Sequence, residues 1–267
     1  MILQFCPLFS GSSGNALLVR GGDTYILIDS GMSGKQEIEA LNSVGVDPSR
    51  LSAIVVTHEH SDHIKSVGIM SRKFDLPVYA TEPTWNMMAR SVGNIRKENI
   101  RPFDVTDELY IGDLCVRPFA IPHDAACPVG YHVFCGGLSI ATATDMGHMT
   151  PSVFDEIRSA DLVLLESNHD PDMLMHNEHY SAALKRRILG NKGHLSNEAC
   201  AEALVRLCDN GLQRAILGHL SGENNTPELA MNTSVNALCE RGAVLGTEIN
   251  VDMAWRDHPG HVYTLED

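Results

Sequence analysis

The chain alternates short apolar runs with polar, glycine-punctuated breaks. Residues 15–20 and 25–29 are β-favouring runs on either side of Gly21-Gly22-Asp23, the pattern of two paired strands joined by a tight turn. Ser33 and Gln36 have capping-box spacing and predict a helix that runs through Ile38 and Leu41 to Gly45. The unbroken apolar run 51–56 reads as a buried strand. Further strands are expected at 78–80, 115–121, 130–135, 138–143, 162–165 and 215–217. Helices are expected near 83–92, 150–158, 178–189, 196–210 and 226–239. This alternation predicts an α/β layered architecture, and the absence of a proline-rich linker, low-complexity run or repeat predicts a single domain over residues 1–267.

A second regularity lies at the ends of the strands. Apolar runs repeatedly stop at a polar residue followed by a small one or a histidine: Ile28-Asp29-Ser30, Val56-Thr57-His58, Ile121-Pro122-His123, Thr144-Asp145-Met146-Gly147 and Leu217-Gly218-His219. Residues at strand ends can converge on one edge of a sheet, where layered folds place their sites.

Composition narrows the chemistry. With 34 Asp and Glu against 20 Lys and Arg the formal net charge is −14, which disfavours a basic nucleic-acid coat or a polybasic membrane binder. Seven cysteines are scattered without a Cys-x-x-Cys pair, so neither a disulfide framework nor a thiolate zinc site is expected. The start of the chain lacks a basic region followed by an apolar one, and no apolar stretch approaches 18 residues. Neither secretion nor a membrane span is expected, and a cytoplasmic location follows.

The strongest chemical signal is His58-x-His60-x-Asp62-His63, three imidazoles and a carboxylate within six residues at the end of the 51–56 strand. Histidine and carboxylate donors suit zinc, iron, manganese or nickel, and without nearby thiolates they point to an open site rather than a closed structural one. The SGSSGN loop at 10–15 matches neither a P-loop nor a dinucleotide fingerprint, so no nucleotide cofactor is expected.

The Thr-His-x-His-x-Asp-His run after an apolar strand, with Leu27-Ile28-Asp29-Ser30-Gly31 before it, resembles the signature of the metallo-β-lactamase superfamily. His123, Asp145 and His219 follow in the matching order. The segments Phe9–Asn15, Leu165-Glu166-Ser167-Asn168-His169-Asp170, Gly193-His194-Leu195-Ser196-Asn197 and His219-Leu220-Ser221 resemble the WalJ/YycJ group, which is related to the RNase Z and RNase J nucleases. The resemblance implies a four-layered αββα sandwich and two divalent metal ions. It implies that His58, His60 and His123 hold the first ion, Asp62, His63 and His219 the second, and that Asp145 bridges them. Asp29 is implied to orient ligands from behind, although a plain turn residue before Ser30-Gly31 has the same pattern.

The same resemblance gives Asp62 a part in orienting a metal-bridging hydroxide, and makes His194 a proton donor to the leaving oxygen or a phosphate contact. Gly193-His194-Leu195-Ser196 also fits a loop leading to a Ser196 helix cap. Ser12, Ser13, Asn15, Asn224 and Asn225 are candidate phosphate contacts. Lys185, Arg186, Arg187 and Lys192 form a candidate phosphate track or a solvated helix face. The expected function is a dinuclear metal-dependent phosphodiesterase, a nuclease resembling DNA exonucleases, with nucleic acid or another phosphodiester as substrate. Hydrolysis of a small ester, thioester, lactone or cyclic phosphodiester is the alternative on the same donors, and a non-enzymatic signalling or scaffold role is a third reading. No full insertion domain fits between Asp145 and His219, which separates the chain from the RNase J pattern.

Overall fold

The computed structural model describes residues 1–267. β1 (Ile2–Phe9), β2 (Ala16–Gly21) and β3 (Thr24–Ile28) open the chain, followed by α1 (Gly34–Ser43), β4 (Leu51–Val55), α2 (Ser61–Ile64), α3 (Val67–Phe74), β5 (Val78–Thr81), α4 (Glu82–Val92) and β6 (Ile100–Phe103). Next come β7 (Leu109–Ile111), β8 (Leu114–Ala120), β9 (Val129–Cys135), β10 (Leu138–Ala143), α5 (Pro151–Ile157), β11 (Leu162–Glu166) and α6 (Pro171–His176). The chain ends with α7 (Ala182–Ile188), α8 (Asn197–Asp209), β12 (Arg214–Gly218), α9 (Pro227–Arg241), β13 (Asn250–Met253) and β14 (Tyr263–Glu266). No helix is long and apolar enough to cross a membrane.

Two compact units form, each from discontinuous stretches. The first takes Met1–Ala120, Ala125–Ser139 and Trp255–Asp267; the second takes Ile121–Asp124 and Ile140–Ala254. Because the chain enters the second unit twice and leaves it twice, no linker marks a boundary in the sequence.

In the first unit the strand order is β14-β1-β2-β3-β4-β5-β6. Pairing is antiparallel from β14 to β3 and parallel from β3 to β6. Ile26, Leu27, Ile28, Ile54 and Val55 are completely buried, as the continuous apolar runs require. Because β3 and β4 are parallel and Ile28 pairs with Val55, the residues that follow both strands emerge side by side. The helix opened by Ser33 forms as expected: Ser33 Oγ accepts from the Gln36 N–H, and the helix ends at Ser43 with Val44 as its cap.

In the second unit β10, β11, β12 and β13 are all parallel. α5 lies between β10 and β11 in the chain, α6 to α8 between β11 and β12, and α9 between β12 and β13, as parallel pairing demands a crossover. Ala143 pairs with Leu165 and Glu166 with Gly218, so the C-terminal ends of β10, β11 and β12 share one edge. Asp145, Glu166 and His219 stand there.

The helix expected over 178–189 is shorter, Ala182–Ile188. Asn177 caps the end of α6 and its Oδ1 accepts from the His179 N–H, so 177–180 turn instead of helix. α2, α3 and α6 and the edge strands β6, β7, β13 and β14 are additional to the sequence expectation. β6 has three exposed residues out of four, so no apolar alternation announces it.

Candidate metal centre

Four residues other than glycine have left-handed backbone angles: Asp29 (φ 62°), Asp75 (57°), Asp145 (59°) and His219 (55°). Three of the four are candidate site residues at strand ends. A non-glycine residue in this region is disfavoured by about 1–2 kcal/mol, so surrounding bonds must hold it there.

In the first unit those bonds centre on Asp29, which is buried. Its Oδ1 accepts from the Thr57 N–H at 2.8 Å, and its Oδ2 accepts from Thr57 Oγ1 at 2.8 Å and faces His63 Nδ1 at 2.8 Å. With Nδ1 of His63 turned to the carboxylate, Nε2 is the ring nitrogen that faces Asn15 Nδ2 at 3.1 Å and the other candidate donors. Asp62 Oδ2 is 3.5 Å from that Nε2. His58 is completely buried, its Nδ1 lies 3.0 Å from Thr57 Oγ1, and its Nε2 lies 3.0 Å from His60 Nδ1. Two nitrogens on one tetrahedral ion with bonds of 2.0–2.1 Å stand about 3.3 Å apart, so this pair sits at a spacing a shared cation fits.

The second unit shows the same device. His123 Nδ1 faces the Gly193 carbonyl at 3.1 Å and His219 Nδ1 faces Glu166 Oε1 at 2.9 Å. Their Nε2 atoms lie 3.9 Å and 3.5 Å from Asp145 Oδ1. Donor atoms of Asp145, Glu166, His194 and His219 all lie within 4.8 Å of one another. His194 Nδ1 faces Glu166 Oε1 at 2.8 Å and is 3.7 Å from Asp145 Oδ1, and its ring lies 5.2 Å from that of His123. His194 therefore stands among the candidate ligands of this unit.

Glu166, to which no role is assigned by the motif, is the hub of the second unit. Completely buried, it also accepts from the Met146 and Leu195 N–H groups at 2.8 and 3.2 Å. Burial alone would raise its pKa, but the charge of His194 and the hydrogen bonds from His194 and His219 hold it well below the usual carboxylate range. For His194 the balance runs the other way: burial would depress the imidazole, and the Glu166 charge and hydrogen bond, then the Asp145 charge, lift it above its ordinary value. His123 is pulled down, chiefly by burial. Glu166 obeys the strand-end regularity already noted, an apolar run closing on a polar residue and then the small Ser167, and that signal could have found it.

Several expected phosphate contacts are corrected by their partners. Asn15 is buried, with Oδ1 accepting from the Gly11 N–H and Nδ2 reaching Gly11 O and His63 Nε2, both at 3.1 Å. Asn224 Oδ1 accepts from Asn177 Nδ2, and Asn225 Nδ2 donates to the carbonyls of Ser167 and Asn168. These three amides pin loops from within rather than face a substrate. In the basic run, Arg187 pairs with Asp124, the residue after His123, and Lys185 Nζ donates to the Met175 carbonyl. Arg186, Lys192, Ser12 and Ser13 are exposed.

The comparisons with known proteins agree with this arrangement. Residues 24–220 match the model of the "Beta-lactamase superfamily domain". The chain is 39% identical to the exodeoxyribonuclease YycJ of Bacillus anthracis, with 94% of this chain and 95% of that protein aligned. It is 38% identical to the exodeoxyribonuclease WalJ of Streptococcus pneumoniae, with 93% of each aligned. Among solved structures, the metallo-β-lactamase fold protein YhfI of Bacillus subtilis superposes with a TM-score of 0.72 at 15% identity, covering 99% of this chain and 100% of that one, which bears on the fold alone. With its strand-end histidines and carboxylates, the chain belongs to the beta-lactamase superfamily, has the α/β metallo-β-lactamase sandwich fold, and within that superfamily falls with the YycJ/WalJ group of metal-dependent hydrolases.

Proposed function

We propose that the chain is a two-metal phosphodiesterase that removes nucleotides from a DNA end. His58, His60 and His123 would hold one divalent ion, Asp62, His63 and His219 the other, and Asp145 both, with Asp29 behind His63. The observation that carries this reading is the shared orientation of His63, His123 and His219. Each turns Nδ1 to a carboxylate or a carbonyl, which directs Nε2 toward the other donors, where a cation would replace contacts such as that of His63 Nε2 with Asn15 Nδ2. The choice of DNA rests on two relatives named exodeoxyribonucleases that align over more than nine-tenths of this chain.

Divalent ions held by these residues would supply a nucleophile near neutral pH and would neutralise charge that builds on the phosphate. Asp62 orients that nucleophile with its carboxylate. His194 donates a proton to the leaving oxygen from Nε2, because Glu166 occupies Nδ1. Glu166 thus holds the ring of a ligand and the ring of the proton donor with one oxygen. The imidazole and carboxylate donors accept zinc, manganese, iron or nickel, and the intracellular supply selects among them. Seven free cysteines fit a reducing cytoplasm. At a net charge of −14, attraction to DNA is confined to the metal centre and a small rim that includes Arg186 and Lys192.

The test is cleavage of 5′- and 3′-labelled single- and double-stranded DNA and RNA in Mn²⁺ or Zn²⁺, with His60→Ala as control. Stepwise loss of nucleotides from one DNA end, absent in the variant, is the expected result. Hydrolysis of small esters with every nucleic acid left intact would replace this reading with the small-molecule alternative.

A further inference from the structure

A cavity of about 310 Å³ lies in the first unit, at the end of its sheet remote from the histidine motif. Gln4 pairs with Arg20, Arg20 with Tyr25, and Tyr25 with Leu51 across β1, β2, β3 and β4, so these four side chains share one face. Asp29 and His58 follow the C-terminal ends of β3 and β4, whereas Tyr25 and Arg50 stand at the N-terminal ends. The five residues of β4 between them span roughly 16 Å at about 3.3 Å each. The cavity is therefore separate from the metal donors of this unit.

Its walls are of two kinds. Leu18, Val44, Val46 and Val262 line the cavity with apolar side chains. Two guanidiniums lie over the nearly buried Tyr25 ring, Arg50 at 4.5 Å and Arg20 at 5.1 Å from its centre. Arg20 is braced: Nε donates to the Gly22 carbonyl and one terminal nitrogen donates to Gln4 Oε1. Arg50 has an ion pair with Asp23 at 3.9 Å, and that carboxylate is 97% exposed, a contact too solvated to hold the charge in place. In a chain of net charge −14, two arginines on one tyrosine beside an apolar hollow form a local anion trap. A planar guanidinium fork matches phosphate oxygens, and two of them match a dianion. The volume falls at the small end of ligand pockets, enough for one ring and its headgroup.

We propose that this cavity is a second binding site, which takes a small phosphate monoester with an aromatic or apolar body. The phosphate meets Arg50 and Arg20 and the body packs against Val44, Val46 and Leu18. Nothing in this proposal depends on the reaction assigned to the metal centre.

Titration calorimetry of the metal-loaded full chain tests it, with phenylphosphonate as a probe that cannot be hydrolysed. Saturable binding at or below about 1 mM is expected. Arg50→Gln, at an exposed position, should weaken it at least tenfold while leaving cleavage at the metal centre unchanged. Val44→Trp, which fills the apolar wall, should do the same. Inorganic phosphate and benzyl alcohol, headgroup and body alone, should each bind at least tenfold more weakly than the whole probe. Equal affinity in the wild type and Arg50→Gln would place the probe elsewhere and overturn the proposal, as would the absence of saturable binding.

Discussion

A single carboxylate oxygen, Glu166 Oε1, faces the Nδ1 atoms of both His194 and His219, while Oε2 accepts two backbone N–H groups. The Glu166 carboxylate, held below its usual range by these histidines, orients both rings, so replacing it by an uncharged amide of the same shape removes the charge without opening a cavity. Glu166→Gln is expected to weaken metal affinity by about 10–100-fold, the usual cost of losing a partner behind a ligand, with an unchanged circular dichroism spectrum. Metal titration against a competing chelator reads the result, and wild-type affinity in the variant would remove Glu166 from the assembly. At this scale the sequence was informative wherever a donor was part of a dense motif. His58, His60, Asp62 and His63 form a dense motif, and the resemblance to the superfamily adds Asp145 and His219 as expected ligands by their order. Glu166 was hidden because an acidic residue after an apolar strand is common. Asn15, Asn224 and Asn225 misled because an amide in a glycine-rich or asparagine-rich loop reads the same whether it grips a phosphate or the backbone.

Between elements, the loops after β3 and before β2 are locked by main-chain bonds. Asn15 N–H donates to Asp62 O at 2.8 Å, Gly31 N–H to Asn15 O at 2.8 Å, and Ser30 N–H to His63 O at 2.9 Å. Gly31 has no room in this stack: an added Cβ would stand 1.7 Å from the Asp62 carbonyl oxygen and 2.7 Å from Asn15 N, both backbone atoms. Gly31→Ala is therefore expected to push α2 and its ligands aside. It should cost about 1–3 kcal/mol or more as an overpacking change, read as a lower urea midpoint together with lost metal affinity. Unaltered values for both would show that the stack is looser than its geometry. Most strands and the capped helices were legible because burial on both faces leaves continuous apolar runs and caps leave fixed spacings. The exposed edge strands and the four-residue α2 were not, since neither is long or apolar enough to produce a period. The helix expected over 178–189 forms only as α7, seven residues long with no residue buried.

For the molecule as a whole, stability carries a pH signature from a buried acid far from the net charge count. Glu37 is completely buried, accepts the Met32 N–H at 3.0 Å and bonds Ser30 Oγ, and burial pushes its pKa from 4.5 to about 8. Between those values the folded chain keeps a proton that the unfolded chain has released. Stability contributed by this group is present in full below 4.5, declines as pH rises, and is lost above 8. Glu37→Gln, neutral at every pH, should flatten that decline, so the gap between variant and wild-type urea midpoints should widen in favour of the variant from pH 5 to pH 8. A constant gap would show that Glu37 ionises normally in the folded chain.

One set of histidines and aspartates, drawn from the ends of several strands, is proposed to perform metal-dependent hydrolysis of DNA. Asp145 tests it most directly, because it is proposed to touch both ions and is held at a left-handed backbone angle by its surroundings. The decisive measurement is the rate of nucleotide release from end-labelled DNA by metal-loaded Asp145→Ala relative to wild type, in protein shown to be folded. The expected result is end-directed cleavage by the wild type that chelation abolishes, and a loss of at least 100-fold in the variant, in line with removing a principal charge from a catalytic site. Cleavage by Asp145→Ala at the wild-type rate would contradict it.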